Sequence, residues 1–177
     1  MHHAHRGGFT LVELIAVVVV LAAVSISAAP ALVSLSGIRD ASLGRELGRR
    51  VNLARAVAGA SGRPTGVRFD AAAQSMMLVQ VATAGAPPTP LPGITGSVDG
   101  GSAGADSVSS LFPGSSIVSV SLDPAGAHDT LWFSYMGVPH LRDGTGAPAG
   151  DLVQDAVIGV SGGHTLTVRM VTGLVEL

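Results

Sequence analysis

The sequence predicts an α+β fold: a long N-terminal helix, membrane-spanning in its first half, packed on a small antiparallel β-sheet domain. Three observations lead there. Residues 9–29, FTLVELIAVVVVLAAVSISAA, carry a single charge, Glu13. Residues 38–58 repeat apolar side chains every three to five positions, the signature of an amphipathic helix. Beyond residue 64 the period drops to two, and short β-rich runs alternate with Gly, Pro and Asp turns.

Bulk properties narrow the functional classes. A chain of 177 residues holds one ordinary domain plus an anchor. The formal charge of −2 excludes a broad basic surface. With no Cys, disulfide frameworks, thiolate metal sites and thiol catalysis drop out. All ten basic residues are Arg, which in so Ala-, Gly- and Val-rich a chain reads as compositional bias. Aromatics make up only 3%, so the core must be built from Val, Leu, Ile and Met.

The first element is the apolar run 9–29. Its 21 residues reach about 30 Å as a helix, the thickness of a bilayer hydrocarbon core. The β-branched stretch 17–20 has weak helix propensity in water, but in lipid the unsatisfied backbone enforces a helix. A secretory signal peptide competes with a spanning helix, because Arg6 supplies a positive start and Ser25, Ser27, Ala28 and Ala29 supply small residues for cleavage. Against it stand Glu13 inside the apolar run and Pro30 directly after the small-residue site. A carboxylate within a spanning segment costs about 3 kcal/mol on insertion scales and so calls for a partner. The segment itself contains no cation. A cut before Phe9 would generate one, the α-amine of a neighbouring copy, although snorkelling or protonation would also relieve Glu13.

Pro30 is expected to kink or locally open the helix, since it removes a backbone donor and crowds the preceding turn. Residues 30–62 then continue as an amphipathic helix. Ile38, Leu43, Leu47, Val51, Ala54 and Val57/Ala58 form its packing face, and Arg39, Asp40, Arg45, Glu46, Arg49, Arg50 and Arg55 its solvated one. The helix should end near residues 59–62, ahead of Arg63-Pro64. Gly44 and Gly48 have GxxxG spacing, a weak signal outside an apolar span.

Strands are expected over 65–70, 76–81, 117–122, 130–136, 157–160 and 165–170, with a last short one over 174–177. The Pro-, Gly- and Ser-rich stretch 83–116 reads as an exposed loop, and 143–148 as a second. Chemistry is sparse. His128-Asp129 lacks a nucleophile elbow, and a surface His beside a turn accounts for it. His2, His3 and His5 form no metal tract, and His140 and His164, placed in a loop and a hairpin turn, lack ligand spacing. Asp143, Asp151 and Asp155 have no D-x-D-x-D-G run behind a calcium loop, and residues 100–104 lack the Lys of a phosphate cradle. The chain reads as a non-enzyme without a cofactor.

Gly8-Phe9-Thr10-Leu11-Val12-Glu13-Leu14-Ile15 resembles the prepilin cleavage motif of type IV pilins and type II secretion pseudopilins. The resemblance implies a leader peptide over 1–8, cleavage by prepilin peptidase between Gly8 and Phe9, N-methylation of Phe9, and a role for Glu13 in subunit assembly. It implies a pilin-like fold with a spanning helix over 9–29, an amphipathic continuation over 30–62 and an exported β-rich domain over 63–177. The implied partners are the peptidase, other pilins or pseudopilins through the N-terminal helix, and an inner-membrane assembly platform. The implied location is the bacterial inner membrane, single-pass, with the C-terminal domain on the periplasmic side and incorporated into a filament. Downstream, Leu47, Val51, Ala54-Arg55 and Ala58, followed by Val67-Arg68-Phe69-Asp70 and the closing Thr172-Gly173-Leu174-Val175, are similar to the GspH/FimT group of minor subunits. That group includes pseudopilins of type II secretion and pilus subunits that prime assembly, adhere or take up DNA. The DNA-binding version has a basic tail. Here Leu-Val-Glu-Leu follows Gly173, with no Arg and an acid at Glu176, so a nucleic-acid partner is disfavoured.

Overall fold

The computed structural model describes residues 10–83, 85–91, 105–126 and 128–177, and for residues 26–35 the backbone only. The chain divides into two compact units, 1–36 and 37–177. Helix α1, Leu11–Ser61, is continuous and includes position 30. Gly62 ends it in the left-handed region (φ +67°), and its N–H bonds the Ala58 carbonyl at 3.0 Å, a glycine stop of the kind that leaves no Cβ to clash.

The described apolar residues of the first unit, from Leu11 to Val24, are exposed. Among the described residues no helix is long and apolar enough to cross a membrane. The segment 9–29 in which a span was expected extends past the fully described residues at both ends.

In the second unit α1 contributes Leu43, Leu47, Val51, Ala54 and Ala58, all fully buried. Their spacing of three and four puts them on one face. Among the described residues eleven short strands follow: β1 Thr65–Asp70, β2 Ser75–Gln80, β3 Thr89–Pro90, β4 Ala105–Ser107, β5 Ile117–Ser121, β6 Thr130–Phe133, β7 Pro139–Arg142, β8 Pro148–Asp151, β9 Ala156–Val160, β10 Thr165–Val168 and β11 Val175–Glu176. A single turn of helix, α2 (Val108–Leu111), lies between β4 and β5.

The strands form two antiparallel sheets rather than one. The first runs β3-β2-β1-β6-β7-β8, with β4 also on β2; the second runs β11-β10-β9-β5. One apolar cluster joins the helix face to Val67, Phe69, Leu78, Leu131 and Phe133 of the first sheet and to Ile158, Val160, Leu166 and Val168 of the second. Val79, Val81 and Trp132 make a smaller cluster of their own. Gly66 is required where β1 meets β6, because a Cβ there would sit 2.7 Å from the Leu131 carbonyl oxygen and 2.9 Å from the Trp132 ring.

Several expectations need correction. Residues 83–116 are not wholly an exposed loop: β3, β4 and α2 lie there, and Asp106 and Val108 are buried. Residues 92–104 of that stretch are outside the described residues. The second expected loop contracts to the 143–147 turn, because β7 and β8 form a hairpin around it. His140 therefore lies in a strand. Asp40 and Arg50 do not belong to a solvated face: Asp40 is buried and accepts a hydrogen bond from the Ser161 hydroxyl. Arg50 is buried too. Its side chain is 2% exposed, with Nη1 2.5 Å from Asp106 Oδ2 and Nε donating to Glu46 at 2.9 Å. Gly44 and Gly48 serve packing within the chain: their missing side chains admit Leu177 at 3.4 Å and Val175 at 3.3 Å from where a Cβ would stand.

Candidate functional site

The start of α1 is where the motif-bearing residues meet structure. Thr10 Oγ1 accepts a hydrogen bond from the Glu13 backbone N–H at 3.3 Å, and the Leu14 N–H bonds the Thr10 carbonyl at 3.1 Å. Thr10 is thus the N-cap and Glu13 the third helical residue, the spacing of a capping box. That spacing, Thr-x-x-Glu ahead of an apolar run, is readable in the sequence and gives Glu13 a local context beyond the need for a counter-charge. The cap contact uses the Glu13 backbone, which leaves its carboxylate on an exposed helix face with no ion-pair partner among the described residues. Ala16, Val17, Val20 and Leu21 follow Glu13 along that face around a shallow depression of about 320 Å³. A single carboxylate at the head of an apolar stripe suits docking against another apolar helix that brings a cation. Gly8 and Phe9 lie outside the described residues, as do the side chain of Pro30 and residues 100–104.

The remaining candidates are dispersed. His128 Nδ1 pairs with Asp123 at 2.7 Å, whereas Asp129 accepts from the Thr130 hydroxyl at 2.6 Å and lies 3.4 Å from Arg68. Among the described residues no serine hydroxyl bonds His128, so the His128-Asp129 pair assembles no triad. Asp143 accepts from the Thr145 hydroxyl at 2.7 Å and from the Ala147 and Thr145 N–H groups at 2.9 Å each; the hydroxyl foremost, then these N–H groups, hold its carboxyl below the usual range. Asp155 is bound by the Met170 N–H and by Arg169, and the first of these leads in lowering its pKa. Asp151 stands opposite His140 on neighbouring strands. No cluster of three metal-capable side chains occurs among the described residues. At the C-terminus Glu176 is taken up by Arg169 at 2.8 Å.

His140 and Arg142 form a more organised group that the sequence did not signal. Register places Val79, Gly66, Trp132, His140 and Asp151 in one row across five strands of the first sheet. The Arg142 guanidinium lies 5.9 Å from the Trp132 ring centroid, a cation over an aromatic face. Its Nε–H donates to His140 Nε2 at 2.9 Å, so Nε2 is an acceptor and the ring is neutral. Burial, partly offset by the Val138 carbonyl, pushes the His140 pKa below its ordinary value.

Residues 3–29 match the family model described as the prokaryotic N-terminal methylation motif. Among solved structures the chain is similar to the minor pseudopilin EpsH from the type 2 secretion system of Vibrio cholerae, at 14% identity and a TM-score of 0.51, over 78% of this chain and 95% of that one. No curated protein sequence matches significantly. The chain thus carries a prokaryotic N-terminal methylation motif around the head of α1. Its domain shares its fold with a minor pseudopilin.

Proposed function

We propose that this chain is a minor pseudopilin, a structural subunit of a type II secretion pseudopilus or a related type IV filament that supports protein export. The observation that carries the reading is the conjunction of the methylation motif over residues 3–29 with a pilin-like domain. Prepilin peptidase removes residues 1–8, and Phe9 becomes the N-methylated first residue. The helix anchors the subunit in the inner membrane through residues 9–29, with the domain on the periplasmic side. From there an assembly platform passes it into the filament, and Pro30 lets the helix bend on the way. Glu13, exposed and without an ion-pair partner among the described residues, then meets the α-amine of an adjacent subunit. The acidic, Arg-free stretch 174–177, with Glu176 engaged by Arg169, weighs toward secretion over DNA uptake.

Mass spectrometry of the mature protein tests the processing step. A terminus at N-methyl-Phe9 is expected, and a terminus near residues 28–31 would sink the proposal. Glu13→Ala keeps the Thr10 cap, which uses only the residue 13 backbone. Cleavage should therefore proceed while incorporation into filaments, read by shearing and immunoblotting, falls at least several-fold. Normal incorporation would remove the charge-pairing step.

A further inference from the structure

A cleft of about 430 Å³ opens beside the β7–β8 hairpin, within the size range of ligand sites. Pro64, Tyr135, Val138 and Pro148 form its apolar walls, and His140, Arg142 and Asp151 its polar part. Tyr135 is 64% exposed, an aromatic left in solvent at the rim.

The polar groups are incompletely used. Arg142 spends Nε on His140 and Nη1 on the Gly146 carbonyl at 2.5 Å, both neutral acceptors. No carboxylate lies within ion-pair distance of it among the described residues; burial disfavours its charge, and the field of Asp143 offsets this only in part. Asp151, in the same cleft, has neither an ion pair nor a side-chain hydrogen bond among the described residues. The cleft thus presents a cation that lacks a carboxylate, a carboxylate that lacks donors, and apolar walls. Inorganic phosphate would satisfy Arg142, but it would leave Asp151 without donors and the walls bare. An extended peptide supplies all three complements: an acidic side chain, backbone N–H groups and an apolar side chain.

We propose that this cleft binds an extended segment of a partner protein in which an acidic residue adjoins an apolar one, with the carboxylate on Arg142 and the apolar side chain between Pro64 and Tyr135. This surface goes beyond the filament contacts made through α1.

Trp132 is the chain's only tryptophan and lies under Arg142, so its emission reports on the cleft. The full chain in detergent micelles is titrated with blocked Gly-Leu-Glu-Leu-Gly, its Gln analogue and inorganic phosphate. The Glu peptide should give a saturable change, with the Gln analogue about ten-fold weaker, as expected for loss of a charge-assisted contact. Arg142→Gln should abolish the difference between the two peptides. Tyr135→Ala, at an exposed position, should leave the free protein's spectrum unchanged and weaken the Glu peptide by about five-fold for the lost apolar contact. Equal binding of the two peptides, saturation by phosphate in the same range, or full binding by Tyr135→Ala would each overturn the proposal.

Discussion

Arg50 carries its charge into the core, and the reason lies in its two partners. Glu46, one helical turn back, accepts from Nε, while Asp106 sits 2.5 Å from Nη1 as a charge contact without hydrogen-bond alignment. Removing one member of a buried pair strands the other, at about 3–5 kcal/mol, whereas replacing both with apolar groups is often neutral. Arg50→Met and Asp106→Leu should therefore each lower the urea unfolding free energy by about 3 kcal/mol, and the double variant should recover most of it. Additive losses in the double variant would show that the two charges are independent. His140 is the second residue whose charge state is tied to folding. Its folded pKa lies below the ordinary 6.5, because burial disfavours the imidazolium. Besides Arg142, the neighbouring charge is Asp151, whose field partly opposes the shift. Between the lowered folded value and about 6.5, the unfolded chain binds more protons than the folded one, so stability falls as pH drops through that window. The stabilisation is fully present above it. In His140→Gln, whose amide oxygen replaces the acceptor for Arg142, chemical denaturation across pH 5–7 should show a flatter profile. An unchanged profile would locate the titration elsewhere.

At the scale of elements, what could be read in the sequence depended on whether the cause was local. Spacing alone announces a buried helix face, and Leu43, Leu47, Val51, Ala54 and Ala58 are buried, whereas Ile38, expected on the same face, is 60% exposed. Thr65–Asp70 likewise matches its expected bounds, since its flanks are a helix-ending Gly-Arg-Pro and a turn. The strands that escaped notice are short and owe their existence to distant partners. β4 has three residues, too few for a period, and pairs through Met76↔Asp106 with a strand some thirty positions earlier in the chain. Its aspartate is buried because Arg50, farther still, meets it. β7 and β8 contain Pro139, Pro148 and Gly150, residues that argue against strand in isolation yet are tolerated in this hairpin at the sheet edge. Alternation also says which face a residue occupies, but not which strand lies next to it. Hence seven expected strands gave no hint that they would divide between two sheets. The candidate site followed the same rule. Glu13 stands out in the sequence as a lone charge, but its capping by Thr10 is seen in the structure, and the row Trp132–His140–Asp151 arises only from strand register.

For the whole molecule, the division at residue 36 has an energetic meaning that can be tested. Every residue of the main buried cluster lies at position 43 or later, so the core is complete within residues 37–177. The apolar residues of the first unit from Leu11 to Val24 are exposed. A fragment beginning at Gly37 should therefore unfold in one cooperative transition, with Trp132 emission as buried as in the full chain. A fragment beginning at Arg63 discards Leu43, Leu47 and Val51, whose burial is worth roughly 5–9 kcal/mol in total. That is comparable to the entire stability of an ordinary domain, so the shorter fragment should not fold. Near-UV circular dichroism and thermal scans of the two fragments decide the matter. If the Gly37 fragment retained secondary structure but lost its near-UV signal and bound hydrophobic dyes, residues before 37 would be required for packing. If both fragments folded, the helix face would be dispensable, and the contiguous core from α1 to the two sheets would not be what holds the domain together.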